Sequence, residues 1–124
     1  MTKAMATNGK RKPMPKLIHD DEVAQICGWL GIQTDMGEEQ LRVALQCVAL
    51  FDKKQQDYGS GNISSSGQLG VATRLQDKVS RMRHLLIKQL KGEGDPVNES
   101  LEDTYLDAAN YCMIGALLLR GRWE

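Results

Sequence analysis

At 124 residues, 41% hydrophobic and 26% charged, the chain suits one compact domain whose core can stand without disulfides or metal staples, and it leaves little room for a second. Aromatic residues are only 5%, while Leu, Ala, Met and Ile carry the apolar content, which favours helix over sheet. The formal net charge of zero conceals an asymmetry: residues 1–16 hold five basic side chains and no acid, so the other 108 hold 11 basic and 16 acidic ones, and so acidic a body argues against a broad DNA-binding face.

In chain order, residues 1–16 carry Lys3, Lys10, Arg11, Lys12 and Lys16 with Pro13, Pro15 and no hydrophobic period. They are expected to be a disordered basic tail, either a solubilising leader or an arm for nucleic acid or polyphosphate. Residues 17–124 are expected to form a single all-α domain. Its first helix is predicted over 20–30, with Val23, Ile26, Cys27 and Leu30 at helical spacing, acids in the first turn and Gly31 as the stop. The second is predicted over 37–56, with Leu41, Ala44, Leu45, Val48 and Phe51 on its buried face. From Asp57 to Gly70 the chain reads as a Gly/Ser-rich central loop too polar for a core.

The third helix is predicted over 68–90, burying Ala72, Leu75, Val79, Met82, Leu86 and Leu90 and carrying Arg74, Asp77, Lys78, Arg81, His84 and Lys88 on its flanks. After a Gly-Glu-Gly-Asp-Pro turn at 92–96, Ser100 with Asp103 three positions on resembles a capping box, and Gly121 stands where a helix-ending glycine is expected. The expected architecture is a small bundle of about four helices with a central loop. The last helix is apolar on most sides around Gly115 and Ala116, which predicts a homo-oligomer through that helix or its neighbour.

Cys27, Cys47 and Cys112 are odd in number, widely spaced and set in apolar patterns, so they read as reduced core residues of a cytosolic protein. The N-terminus has no apolar signal core, and no apolar run is long enough for a membrane span; these features predict a soluble, intracellular protein with no membrane partner. His19 and His84 have no Cys or Ser near enough in sequence for a nucleophilic triad. Trp29 and Trp123, at helix ends, read as caps on the hydrophobic core.

Between Thr104 and Leu119, the most apolar stretch, Asp107 is the only charged residue. Burying a lone carboxylate costs several kcal/mol, roughly, so Asp107 needs a cation. Arg74, Lys78 and Arg81 offer one source, and a bound metal is the other. Glu99, Asp103 and Asp107 lie four residues apart and, with Asn110, can line one stripe of the last helix, a donor set that suits Mg²⁺. Acids in a first turn are equally explained by the helix dipole, which leaves Asp107 and Asn110 as the residues most in need of a functional account. Three cations within two turns of the third helix are what phosphate groups require, although no Walker-type Gly-Lys-Ser/Thr closes the glycine-rich segment before them.

Three ordered motifs, Asp57-Tyr58-Gly59, Arg74-Leu75-x-Asp77-Lys78-x-x-Arg81 and Asn98-Glu99-Ser100-Leu101-x-Asp103-Thr104-x-Leu106-Asp107-x-Ala109-Asn110-Tyr111, resemble the nucleotide modification associated domain 1 family of small phage and prophage proteins. That resemblance, over about residues 40–120, implies a role near nucleotide metabolism or modified DNA bases, in the cytoplasm of a host cell. The chain is more distantly similar to MazG-type all-α nucleotide pyrophosphohydrolases, which set carboxylates from two helices around Mg²⁺, but Asp77 is the only acid its facing helix offers.

Two readings follow. One is a nucleotide-handling protein, in the enzymatic case a Mg²⁺-dependent diphosphohydrolase, with Asp77, Glu99, Asp103 and Asp107 holding metal and Arg74, Lys78 and Arg81 holding phosphate. Asp57, Tyr58 and Asn110, from the same motifs, complete its ligand-binding candidates. The alternative is a non-catalytic anti-defence sponge that sequesters a cyclic nucleotide or an ADP-ribose-type immune signal. A purely structural helical module, with Asp107 neutralised by Arg74 or Arg81, is the third possibility.

Overall fold

The computed structural model of the chain describes residues 19–93 and 98–124, the side chains of Asn98 and Glu99 excepted; the basic tail lies outside these residues. The fold is all-α: α1 (Asp20–Leu30), α2 (Asp35–Tyr58), α3 (Gly61–Leu90) and α4 (Asn98–Leu119), with no strand among the described residues. The chain divides into two compact units, one up to Ala49 and one over Leu50–Glu124.

In the first unit, α1 opens with Asp20, Asp21 and Glu22 at the positive end of its dipole. It ends at Gly31, whose φ of 71° is left-handed, and the Gly31 and Ile32 amides close back onto Gly28 and Cys27. Helix α2 starts two residues earlier than the sequence pattern predicts because Thr34 acts as its N-cap, Oγ1 accepting the Gly37 amide at 2.9 Å. Arg42 joins the two helices, its Nη2 lying 2.8 Å from Asp20 and 3.1 Å from Glu38. The buried face is turned from the predicted one: Val23 and Cys47 are buried, Leu41 and Leu45 half-buried, and Ala44 and Val48 exposed.

In the second unit the predicted central loop is absent. Helix α2 stops at Gly59, with φ 69°, and α3 begins at Gly61. The serines that suggested a loop bond back into the helix instead: Ser64 Oγ donates to the Ser60 carbonyl at 3.1 Å and Ser65 Oγ to the Asn62 carbonyl at 3.0 Å. Ile63, within this stretch, is buried. One break remains, at Gly67 (φ 62°, ψ −156°), a backbone region open essentially to glycine alone. A Cβ at Gly70 would collide with the Ser66 side chain folded against it, so this bend needs a second glycine. Beyond the bend the buried face is displaced from prediction. Val71 is buried in place of Ala72, Leu75 and Met82 are half-buried, and Val79, Leu86 and Leu90 are exposed.

Helices α3 and α4 pack antiparallel in one register. Arg81 meets Thr104, Lys78 meets Asp107, Val71 faces Gly115, and Ser60 meets Trp123. The core is Ile63, Val71 and Ile114, with Phe51, Leu75, Tyr111, Leu118 and Trp123 packed around it. Helix α4 starts at Asn98, so Ser100 lies inside the first turn and is not the predicted N-cap; its hydroxyl accepts from Arg81 Nη2 at 2.7 Å. Gly121 ends the helix as expected, with φ 69°.

Trp123 caps the core as predicted, meeting Phe51 edge-on at 5.9 Å, while Trp29 is exposed. The expectation of three core cysteines is corrected: only Cys47 is buried, Cys27 is half-buried and Cys112 exposed. No helix among the described residues is long and apolar enough to cross a membrane.

Candidate functional site

The second unit holds an open pocket of about 350 Å³. Three helices build it with faces set by their own periodicity. Phe51, Lys54 and Tyr58 recur at turn spacing on α2, Arg74 and Lys78 one turn apart on α3, and Asp107, Asn110, Tyr111 and Ile114 along one stripe of α4. Trp123, beyond α4, adds an aromatic wall. It is anchored by its Nε1 donating to the Ser60 carbonyl at 3.2 Å, while the Ser60 hydroxyl donates to the Glu124 carbonyl and accepts from Gln55 Nε2.

Asp107 is the electrostatic centre of the site. Its Oδ1 lies 2.9 Å from Lys54 Nζ and its Oδ2 3.1 Å from Lys78 Nζ. Burial alone would raise the carboxyl's pKa, but the hydrogen bonds from Lys54 and Lys78 and their charges outweigh it and hold the group below the usual carboxylate range. The cation that Asp107 required is therefore a lysine pair. Lys78 belongs to the predicted cluster; Arg81 does not join it, donating to Thr104 Oγ1 at 3.1 Å and to Ser100, and so clamping the start of α4. Lys54 was not legible as a partner from spacing, because it lies 53 residues away on another helix. A weak signal existed: residue 54 shares a helix face with Phe51 and Tyr58.

Arg74 lines the pocket and, among the described residues, has no hydrogen bond or ion pair. Asn110 is 8% exposed, lines the pocket, and its side-chain amide likewise has no partner among the described residues. Among the described residues no side-chain nitrogen or oxygen is both buried and unbonded, so Asn110 is no buried orphan; the pocket presents its amide beside the Arg74 guanidinium, two groups that a polar ligand can engage.

Of the ligand-binding candidates, the structure brings together Tyr58, Arg74, Lys78 and Asn110; Asp57 is exposed and does not line the pocket, and Arg81 is engaged elsewhere. Of the metal candidates, Asp107 lines the pocket with both oxygens paired to ammonium groups, and Asp77 and Asp103 are exposed outside it. The Glu99 side chain lies outside the described residues. Among those that are described, no group of three or more His, Cys, Asp or Glu side chains is placed to hold a metal ion.

These features define a small all-α protein with an aromatic pocket bearing more positive than negative charge. Residues 54–119, a little over half of the chain, match the family described as nucleotide modification associated domain 1, and the chain belongs to that family. The matched stretch contains every pocket-lining residue except Phe51 and Trp123. No curated protein and no solved structure matches the chain.

Proposed function

We propose that the protein binds a nucleotide, or a phosphate ligand derived from one, in this pocket. Arg74 holds phosphate with Lys54 and Lys78 beside it, and the aromatic side chains pack against the base. The observation that carries this reading is Arg74: a guanidinium unpaired among the described residues, in a concave, partly aromatic site, suited to bidentate contact with phosphate oxygens. Family membership agrees with it, since the matched segment is nucleotide-associated by description and contains Arg74.

The pairing of both Asp107 oxygens with lysines favours binding over turnover, because a carboxylate so engaged would have to release a lysine before it could hold a metal or take a proton. A sequestering role, with the ligand held and released intact, is the form of the proposal that this favours. Thermal-shift measurements with nucleotides, with and without Mg²⁺, test it. A ligand at about 100 times its Kd stabilises the fold by roughly 2.7 kcal/mol, a rise in Tm on the order of 10 °C. Arg74→Ala should abolish that rise while the unliganded Tm stays within about 2 °C, and phosphate release should stay at background. No shift with any nucleotide would refute the proposal.

A further inference from the structure

The binding reading leaves the ligand's size and charge open, and the register of the two long helices speaks to both. Because α3 and α4 run antiparallel, the pocket has a charged end and an apolar end. Lys78 lies beside Asp107 at one end, with Arg74 one turn along, and Ile63, Ile114 and Trp123 lie toward the other. Asn110, one turn beyond Asp107 on α4, lies between the Lys78–Asp107 pair and Ile114, about level with Arg74. The seven steps from Asp107 to Ile114 rise about 10 Å along the helix, the span of one phosphate, one sugar and one base. A volume of about 350 Å³ is near the lower limit for small-molecule sites, which run from roughly 300 to 1,000 Å³.

The charges fit the same unit. Among the described lining residues Lys54, Arg74 and Lys78 oppose Asp107 alone, an excess of two positive charges. A phosphate monoester carries about −1.5 to −2 at neutral pH. A phosphodiester brings only one negative charge, and each further phosphate of a di- or triphosphate adds charge for which no lining cation remains.

Resting on the nucleotide-binding reading above, we infer that the pocket takes a single mononucleotide ending in a phosphate monoester, with its phosphate at Arg74 and its nucleoside part hydrogen-bonded by Asn110. The Asn110 amide, a neutral donor and acceptor lining the pocket beside Arg74, is the group that distinguishes a nucleoside from a bare phosphate.

Isothermal titration of the full chain without added metal tests this, using the 5′-monophosphates of the common nucleosides, their 3′,5′-cyclic monophosphates and their 5′-triphosphates. At least one 5′-monophosphate should bind ten-fold or more tighter than its cyclic diester and its triphosphate. Arg74→Gln should weaken the monophosphate by ten-fold or more and bring it level with the cyclic form. Asn110→Ala should weaken the monophosphate without changing the affinity for inorganic phosphate. If a cyclic nucleotide or a triphosphate binds as tightly as the monophosphate, the inference fails and the broader nucleotide reading stands. If no nucleotide of any class binds, both fall. The comparison of wild-type affinities decides the matter even where Asn110→Ala does not fold.

Discussion

Replacing Asp107 by Asn separates the cation-grip account of the pocket from every account in which this carboxylate works on a ligand or metal. The Asp107 side chain is 24% exposed, Lys54 50% and Lys78 27%. Lys54 can turn into water when its partner is lost, so its pair with Asp107 is worth about 0–1 kcal/mol. Lys78 has less freedom, and leaving it partly buried beside a neutral amide costs about 1–3 kcal/mol. A loss of about 1–3 kcal/mol is therefore expected in urea denaturation, less than the 3–5 kcal/mol, roughly, of a broken fully buried pair. The carboxyl is held below its ordinary value in the folded state, so its contribution is fully present above about pH 4, the unfolded carboxylate value, and disappears as pH falls through the lower folded value. Wild-type and Asp107→Asn stabilities should accordingly converge in acid. Because the substitution also removes the only acid among the described residues that line the pocket, affinity for a phosphate ligand should rise several-fold. A variant that loses stability and all ligand affinity together would refute the reasoning, since the carboxylate would then contact the ligand itself.

Gly67→Ala should destabilise by about 1–3 kcal/mol through backbone strain alone, since a Cβ there meets nothing within 4 Å; an unchanged denaturation midpoint would refute the strain. Arg81→Ala should cost about 1–2 kcal/mol for its bonds to Thr104 and Ser100 while leaving ligand affinity within two-fold, roughly, in titration calorimetry, because those bonds lie outside the pocket. Thiol labelling of the native protein should modify Cys112 first and leave Cys47 protected until unfolding, because burial both shields that thiol and raises its pKa.

The helix class, the span of α1 and the glycine stops at Gly31 and Gly121 follow from local chemistry, and local chemistry is what a sequence displays. The segment after Tyr58 misled because Gly and Ser usually mark loops, whereas Ser64 and Ser65 turn their hydroxyls onto carbonyls one turn back and remain helical. On α3 the pattern found Leu75 and Met82 but took Ala72 for Val71 and extended the stripe to Val79, Leu86 and Leu90, which are exposed, because an apolar period does not say which of its positions a neighbouring helix covers. The need of Asp107 for a cation was legible because an isolated charge in an apolar run has a predictable energy. The identity of its second partner was not, because Lys54 arrives from α2 through packing that no local pattern encodes.

The contact between Trp123 and Ser60 joins residues 63 positions apart, and it completes one wall of the pocket. Helix α4 can form and pack on α3 by register, but the wall exists only after the residues past Gly121 have docked. Trp123 and Glu124 are tied to Ser60 by two hydrogen bonds, so the docking of these residues and the shape of the pocket are one event. Occupancy would in turn hold the last residues down, and slowed amide exchange near Trp123 would follow the ligand in time even where no atom of the ligand touches that stretch of backbone.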